Sequence, residues 1–268
     1  MIAGRVDRRI LFGIFFMCGT GLLFPVMGGL AKILGSDYSS LQVSWARAFG
    51  HIVFMLIFFV PKFGLRMLRT RRLGTQMARS ALLFASNATH FYAITFIPIA
   101  KAASISLMAP LVVVPFAWAI LGERTTVGRM MALLVLASAT TYALYQVLTR
   151  MISAIDSPET SAIYSSIVGS FGMLLVLPFV WTTPHNPRDV FYFCCLGVLG
   201  GIGHYFVARA LTYAPANIVS PFQYMQLIGS VVVGYLFFGD FPDVLGWVGA
   251  AIIVGAGLYI GLAQSRRV

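Results

Sequence analysis

Arg47 and His51 lie four residues apart within an apolar stretch, a spacing that puts both side chains on one face of a helix. A guanidinium there offers a rigid fork of donors to an anionic group, and an imidazole titrates near neutral pH. The same two residues would also serve as a structural hydrogen-bonding pair between helices. Asn87 and His90 share a face at three-residue spacing in a second apolar stretch. His204 stands in a third, with Arg209 near its end, where a long basic side chain can snorkel to an interface. Gln223 and Gln226 flank Tyr224, with Pro221 just before them. A proline frees a backbone carbonyl, and amides can hydrogen-bond a polar, uncharged ligand; amides also bind helices to one another. Tyr142, Tyr145 and Gln146 suit either an aromatic-lined cavity or an interfacial aromatic belt. Polar groups inside apolar spans are costly, which makes Arg47, His51, Asn87, His90, Tyr145, His204, Gln223, Tyr224 and Gln226 the candidates for substrate contact.

The elements that carry them are membrane helices. Of the 268 residues, 59% are hydrophobic and only 10% charged, and mean hydropathy is +0.87. Soluble domains carry about 25% charged residues, so a globule of this composition would expose large apolar patches. Nine apolar runs are visible, at 10–34, 41–60, 80–99, 102–121, 129–149, 161–181, 190–212, 216–238 and 244–263. Each is close to the roughly 20 residues that cross a bilayer as a helix, and continuous runs exclude a barrel. Arg5, Arg8 and Arg9 precede a first run too long for a signal peptide and followed by many like it. The amino terminus is therefore expected in the cytoplasm. Pro25 and Pro110 mark kinks or hinges, and Gly197/Gly201 and Gly257/Gly261 have the spacing of close helix packing. Cys18, Cys194 and Cys195 lack metal spacing and read as small buried hydrophobes.

A shift of 117 positions lays Phe91–Pro98 on Ala208–Pro215 and Gly122-Glu123 on Gly239-Asp240. Duplicated halves are a signature of transporters, whose substrate site lies between the repeats. The net charge of +11 is concentrated between runs, above all in Lys62, Arg66, Arg69, Arg71, Arg72 and Arg79. Such loops stay in the cytoplasm, which reads as topology rather than nucleic-acid binding. Nine consecutive spans from a cytoplasmic start, however, put Arg150, Arg209, Arg266 and Arg267 outside and Arg188 inside. Inverting the second half reverses all five, as though one helix were missing upstream of it.

Phe91–Arg124, His204–Asp243 and Gly249–Gly261, with Lys32 and Arg47, resemble the drug/metabolite transporter superfamily, specifically its EamA-type members. The second half is most similar to a proteobacterial branch that includes riboflavin and S-adenosylmethionine transporters. The resemblance implies an all-α polytopic membrane protein of two inverted repeats of about five helices. Here nine transmembrane helices are expected, with one lost between the halves, where the run 129–149 begins like the family's fifth helix and ends like its sixth. The first repeat then covers 1–128 and the second 129–268.

The expected function is a secondary transporter moving a small organic metabolite, such as a vitamin or amino acid, across the bacterial inner membrane by alternating access. Its partners are the small-molecule substrate and the lipid bilayer, without nucleic acid, and a homodimer is compatible with the family. No cofactor, metal site or enzyme motif is expected: GxGxxG, HExxH, GxSxG and the phosphate loop are absent. The alternatives are a truncated, non-transporting relative and, less favoured, a membrane-embedded enzyme acting on lipid.

Overall fold

The computed structural model describes residues 8–108 and 127–240, with positions 247 and 255. Among these residues every regular element is helical: α1 (Arg8–Leu34), α2 (Ser40–Phe63), α3 (Leu73–Ile94), α4 (Ile99–Met108), α5 (Val127–Ile152), α6 (Pro158–Tyr164), α7 (Pro187–Tyr213) and α8 (Met225–Phe238). Four described stretches are long and apolar enough to cross a membrane: α1, α2, α7 and Ser220–Phe238. The expected run 244–263 lies outside the described residues except at Trp247 and Gly255, as do Pro110, Gly122-Glu123-Arg124 and Gly257/Gly261. The third run, expected at 80–99, instead belongs to a helix that starts at Leu73 and ends at Ile94, because Gln76, Arg79 and Ser80 are buried inside the bundle rather than left in the loop.

Caps and breakers set the ends. Ser39 Oγ accepts from Gln42 N–H at the start of α2, and Asn186 Oδ1 accepts from Arg188 N–H, ahead of Pro187, at the start of α7. Gly239, at φ 66°, closes α8 in the left-handed conformation that glycine adopts without a Cβ penalty. The run expected as a helix at 161–181 is regular only as far as Tyr164. Beyond it come a π turn (Val168–Gly172), a 3-10 turn (Met173–Leu175) and one α turn (Leu177–Val180). Ser165 and Ser170 hydrogen-bond back to the carbonyls of Ser161 and Ser166, a pattern that competes with the helix ladder and bends it. Side chains of α2 and α3 supply partners here: Trp45 Nε1 donates to Ser170 O, and Ser80 Oγ accepts from Val168 N–H. Irregular backbone at membrane depth is tolerated only when protein satisfies it.

The 117-residue offset carries the ends of α1 to 125 and 151, close to those of α5, and places the range of α3, 190–211, inside α7. Packing follows the same relation. The most extensive contacts join α1 to α7 and α3 to α5, so the first helix of each set lies on the third helix of the other.

Contacts between the ends show how the helices run. At one end, Phe12 and Phe16 meet Tyr213, Arg150 Nη1 donates to Leu211 O at 2.5 Å, and Asp156 accepts from Thr70, Arg71 N–H and Gln76. The start of α1, the basic 62–72 segment, Arg150 and Arg209 thus gather together. At the opposite end, Tyr38 Oη donates to Asp189 (2.8 Å) and Gln42 exchanges two bonds with the Thr182 backbone. Lys32 bonds Ile97 O and pairs with Asp240 at 3.3 Å, and Arg188 lies at this end too. Arg150 and Arg209 therefore sit with the basic loop and Arg188 does not, which is the distribution of the inverted second half. In this distal turn, burial and the Asp189 carboxylate raise the Tyr38 hydroxyl above its ordinary pKa.

Large apolar side chains point outward, among them Phe179 (87% exposed), Leu175 (82%) and Phe15 (65%), as lipid-facing positions require. Cys194 joins them: it is exposed, while Cys18 and Cys195 are partly buried, so the expectation of three buried thiols fails at Cys194. Inside, glycines bring backbones together. A Cβ on Gly197 of α7 would stand 2.6 Å from the Cα and carbonyl carbon of Gly50 on α2. Pro25 withholds the N–H that would otherwise bond Gly21 O, and Gly229 of α8 approaches that carbonyl so closely that a Cβ there would lie 3.0 Å from it.

The Gly50–Gly197 crossing leaves no flexible atom to yield, so Gly197→Ala should destabilise the protein by about 1–3 kcal/mol. Gly28→Ala should be neutral or stabilising, since a Cβ there meets nothing within 4 Å. Thermal unfolding in mild detergent checks both; equal midpoints for the two variants would contradict the packing described.

Candidate functional site

Three of the predicted site residues meet where α2 crosses α7. Arg47 and His51 project from one face of α2, as their spacing predicts, and are 1% and 0% exposed. They pack on a glycine patch: a Cβ on Gly200 would lie 3.4 Å from Arg47 Nη1, and one on Gly201 3.4 Å from His51 Cδ2. His204 is one turn further along α7, its ring parallel to that of His51 with centroids 5.9 Å apart. Phe24 of α1 covers His204 at 5.1 Å. Glycine at 197, 200 and 201 lets two long polar side chains enter between helices that would otherwise be held apart.

A line of polar contacts leads from this pair to the basic end. His51 Nδ1 bonds Ser166 Oγ at 2.7 Å. His204 Nδ1 lies 3.4 Å from the hydroxyl of buried Tyr145, which is 3.3 Å from Ser165 Oγ. Arg79 donates to Ser161 O, to Ser165 Oγ (2.7 Å) and to Gln76 Oε1 (3.1 Å), and stacks over the Tyr145 ring at 4.9 Å. Gln76 Nε2 in turn donates to Asp156 at 2.9 Å. The end of α6 and the irregular turn after it thus place three serines, 161 in the helix and 165 and 166 beyond it, between α2, α3 and α5.

The two buried arginines are not equivalent. Arg79 spends both Nη groups on named acceptors and reaches a carboxylate through one amide, leaving only Nε without a partner. Arg47 Nε and Nη1 are buried without any hydrogen-bond partner, as are the Nε2 atoms of His51 and His204. Among the described residues the one ion pair is Lys32–Asp240, at the distal end. A buried charge without a partner costs several kcal/mol, and unmatched buried polar atoms are rare enough to need a cause.

The remaining candidates are distributed around this centre. Gln223 accepts from Gln146 Nε2 at 3.3 Å, linking α5 to the turn before α8. Gln146 Oε1 and the Tyr142 hydroxyl are buried without partners beside it. Tyr224 and Gln226 are half-buried in the same stretch, where Gly21 lets α1 come within 2.9 Å of the Gln226 nitrogen, measured from a Cβ built on the glycine. Asn87 donates to Leu83 O of its own helix, and His90 is half-buried beside Phe91; neither joins the α2–α7 cluster. Arg209 does not extend freely to an interface. It sits among Phe16, Tyr205 and Tyr213 and bonds the Tyr213 hydroxyl at 3.0 Å. Sequence reasoning missed Arg79, counted with the basic loop, and the serine triplet. The signal was the spacing of Gln76, Arg79, Ser80, Leu83 and Ser86, one helical stripe that is buried throughout.

The EamA-like transporter family model matches residues 11–135 and again 129–262. The chain belongs to that family. The two matched stretches overlap at 129–135, within α5. The chain is 27% identical to an S-adenosylmethionine uptake transporter of Rickettsia prowazekii (strain Madrid E), over 88% of each chain. It is 25% identical to a riboflavin transporter of Vibrio cholerae serotype O1, over 98% of this chain and 97% of that one. That second match runs over 289 aligned positions, at least 21 more than the 268 residues present here. A solved crystal structure shares the fold with a TM-score of 0.65 at 16% identity, covering 97% of this chain and 99% of the other. An EamA membrane transporter, rather than an enzyme, is what these likenesses support.

Arg79 and Arg47 should respond oppositely to removal. Arg79→Met strands Ser161 O and the Gln76–Asp156 link and should cost about 3–5 kcal/mol of stability. Arg47→Met removes an unmatched charge and should leave the empty protein within about 1 kcal/mol of its original stability, or above it. Denaturant unfolding of both variants in detergent tests this, and a larger loss for Arg47→Met would refute the distinction.

Proposed function

We propose that this EamA protein is a secondary transporter that carries a small organic metabolite across the bacterial inner membrane by alternating access. The observation that carries the reading is the cluster of unmatched donors on Arg47, His51 and His204. It joins α2 of the first repeat to α7 of the second, where rocking of one repeat against the other would open it to either side. The printed functions of the Rickettsia and Vibrio relatives support an organic metabolite as cargo.

The end holding the 62–72 segment, Arg150 and Arg209 is the cytoplasmic one in this reading, since basic segments resist translocation. The amino terminus is then cytoplasmic. The second repeat begins at 129, inside α5, and the last apolar run is 244–263; with both termini at the cytoplasmic end the number of crossings is even, so one of the nine expected runs does not pass from side to side. The surplus of at least 21 positions in the longer alignment is close to the roughly 20 residues of one span; together with the overlap of the two family matches at 129–135, it supports loss of one helix between the repeats. That loss is also what favours the second reading, a relative that no longer transports.

Three measurements test these statements. In a cysteine-free background, an impermeant maleimide added outside intact cells should label Thr183→Cys and not Arg71→Cys; a reporter fused at Val268 should read cytoplasmic. The reverse labelling would contradict the orientation. In proteoliposomes, a panel of vitamins and amino acids including riboflavin and S-adenosylmethionine, with and without a pH gradient, should give saturable uptake of at least one compound. Absence of flux for all of them, from a well-folded sample, would favour the non-transporting reading.

A further inference from the structure

We infer that the transported compound carries a carboxylate and that Arg47 receives it, an inference that rests on the transporter reading above. Among the described residues, Arg47 is the buried cation that no hydrogen bond or ion pair links to a carboxylate. Arg79 is matched by Asp156 through Gln76. The two buried carboxylates among the described residues, Asp156 and Glu159, both lie at the basic end, and Glu159 accepts from Tyr205 at 3.3 Å. Arg47, on the far side of the histidine pair, keeps a full positive charge with Nε and Nη1 unmatched.

The groups around it describe what would satisfy it. His51 and His204 each hold their Nδ1 in a contact with a hydroxyl, Ser166 or Tyr145, and leave Nε2 unmatched. The unmatched atoms therefore combine one fixed cation with two imidazole nitrogens able to donate, in a place walled by Gly200 and Gly201. One guanidinium neutralises one negative charge, and a carboxylate presents two oxygens in the plane that guanidinium donors favour. A phosphate dianion would bring a second charge that nothing here balances. A neutral ligand would leave the guanidinium unpaired. Arg47 is thus paired only when cargo is present.

The test uses the full-length protein in proteoliposomes and in detergent. The probes are α-amino acids, the α-carboxamide and α-phosphonate of each, S-adenosylmethionine, and riboflavin, which has no carboxylate. The expected result is saturable uptake, and a raised unfolding temperature, for at least one carboxylate compound and not for its carboxamide or phosphonate. Arg47→Gln should weaken that binding by on the order of a hundredfold, with the unliganded unfolding temperature unchanged and Arg47→Lys falling between. The acid–amide comparison needs no variant, so it stands even if Arg47→Gln fails to fold. Equal binding of acid and carboxamide, preference for the phosphonate, or riboflavin uptake indifferent to Arg47→Gln would each overturn the carboxylate while leaving a transporter in place. No uptake and no thermal shift with any probe would count against the transporter itself, and the carboxylate with it.

Discussion

A guanidinium sealed inside a bundle that has lipid outside it needs acceptors held in place around it, and this constraint organises the rest of the molecule. Arg79 meets it with serine oxygens and a glutamine that relays a carboxylate. Arg47 leaves Nε and Nη1 without a partner. The serines that serve Arg79 are available because the segment after α6 abandons regular helix, and it can do so because Trp45 and Ser80 bond its backbone. The unsatisfied arginine and the irregular segment therefore belong to one construction, lying across the boundary between the two halves.

That boundary is itself an exchange of helices. α1 lies on α7 and α3 on α5, so neither half has a core of its own, and the central polar residues come from both. Close approach depends on glycine where α2 meets α7 and on Gly21 and Gly229 where α1 meets α8. The charge distribution follows from the same arrangement. Because the halves run in opposite senses, the carboxyl ends of α5 and α7 come to the amino end of α1, and their arginines join the basic loop. A count of nine consecutive crossings mislays these residues; the packed helices do not.

Much of this was legible in the sequence. Four-residue spacing brought Arg47 and His51 to one face, the 117-residue offset matched the helix order, and the arrangement of charges signalled a second half inverted against a simple count. His204 and Tyr145 stood out because polar groups inside apolar runs need a reason. What escaped has physical causes. Arg79 looked like part of a basic loop because hydropathy cannot distinguish a buried arginine with acceptors from a solvated one. The turn after Tyr164 looked helical because its composition is apolar; the local serine back-bonds that bend it leave no mark in hydropathy, and the Trp45 and Ser80 bonds that satisfy its backbone are a tertiary matter. Asn87 shared its level in the repeat with His204, yet its amide bonds Leu83 O locally; equivalence in a repeat fixes height along a helix, not the partner a side chain finds.

Alternation of the two ends about the Arg47 site is the central claim, and distances measured by paired spin labels test it most directly. One pair at Ser36 and Thr183 reports the distal end, and another at Arg69 and Ser153 reports the basic end. On saturation with a transported compound the two distances should change in opposite directions, one end widening as the other closes. If both distances stay fixed, or both widen together, the helices around Arg47 do not rock as repeats and the account is wrong.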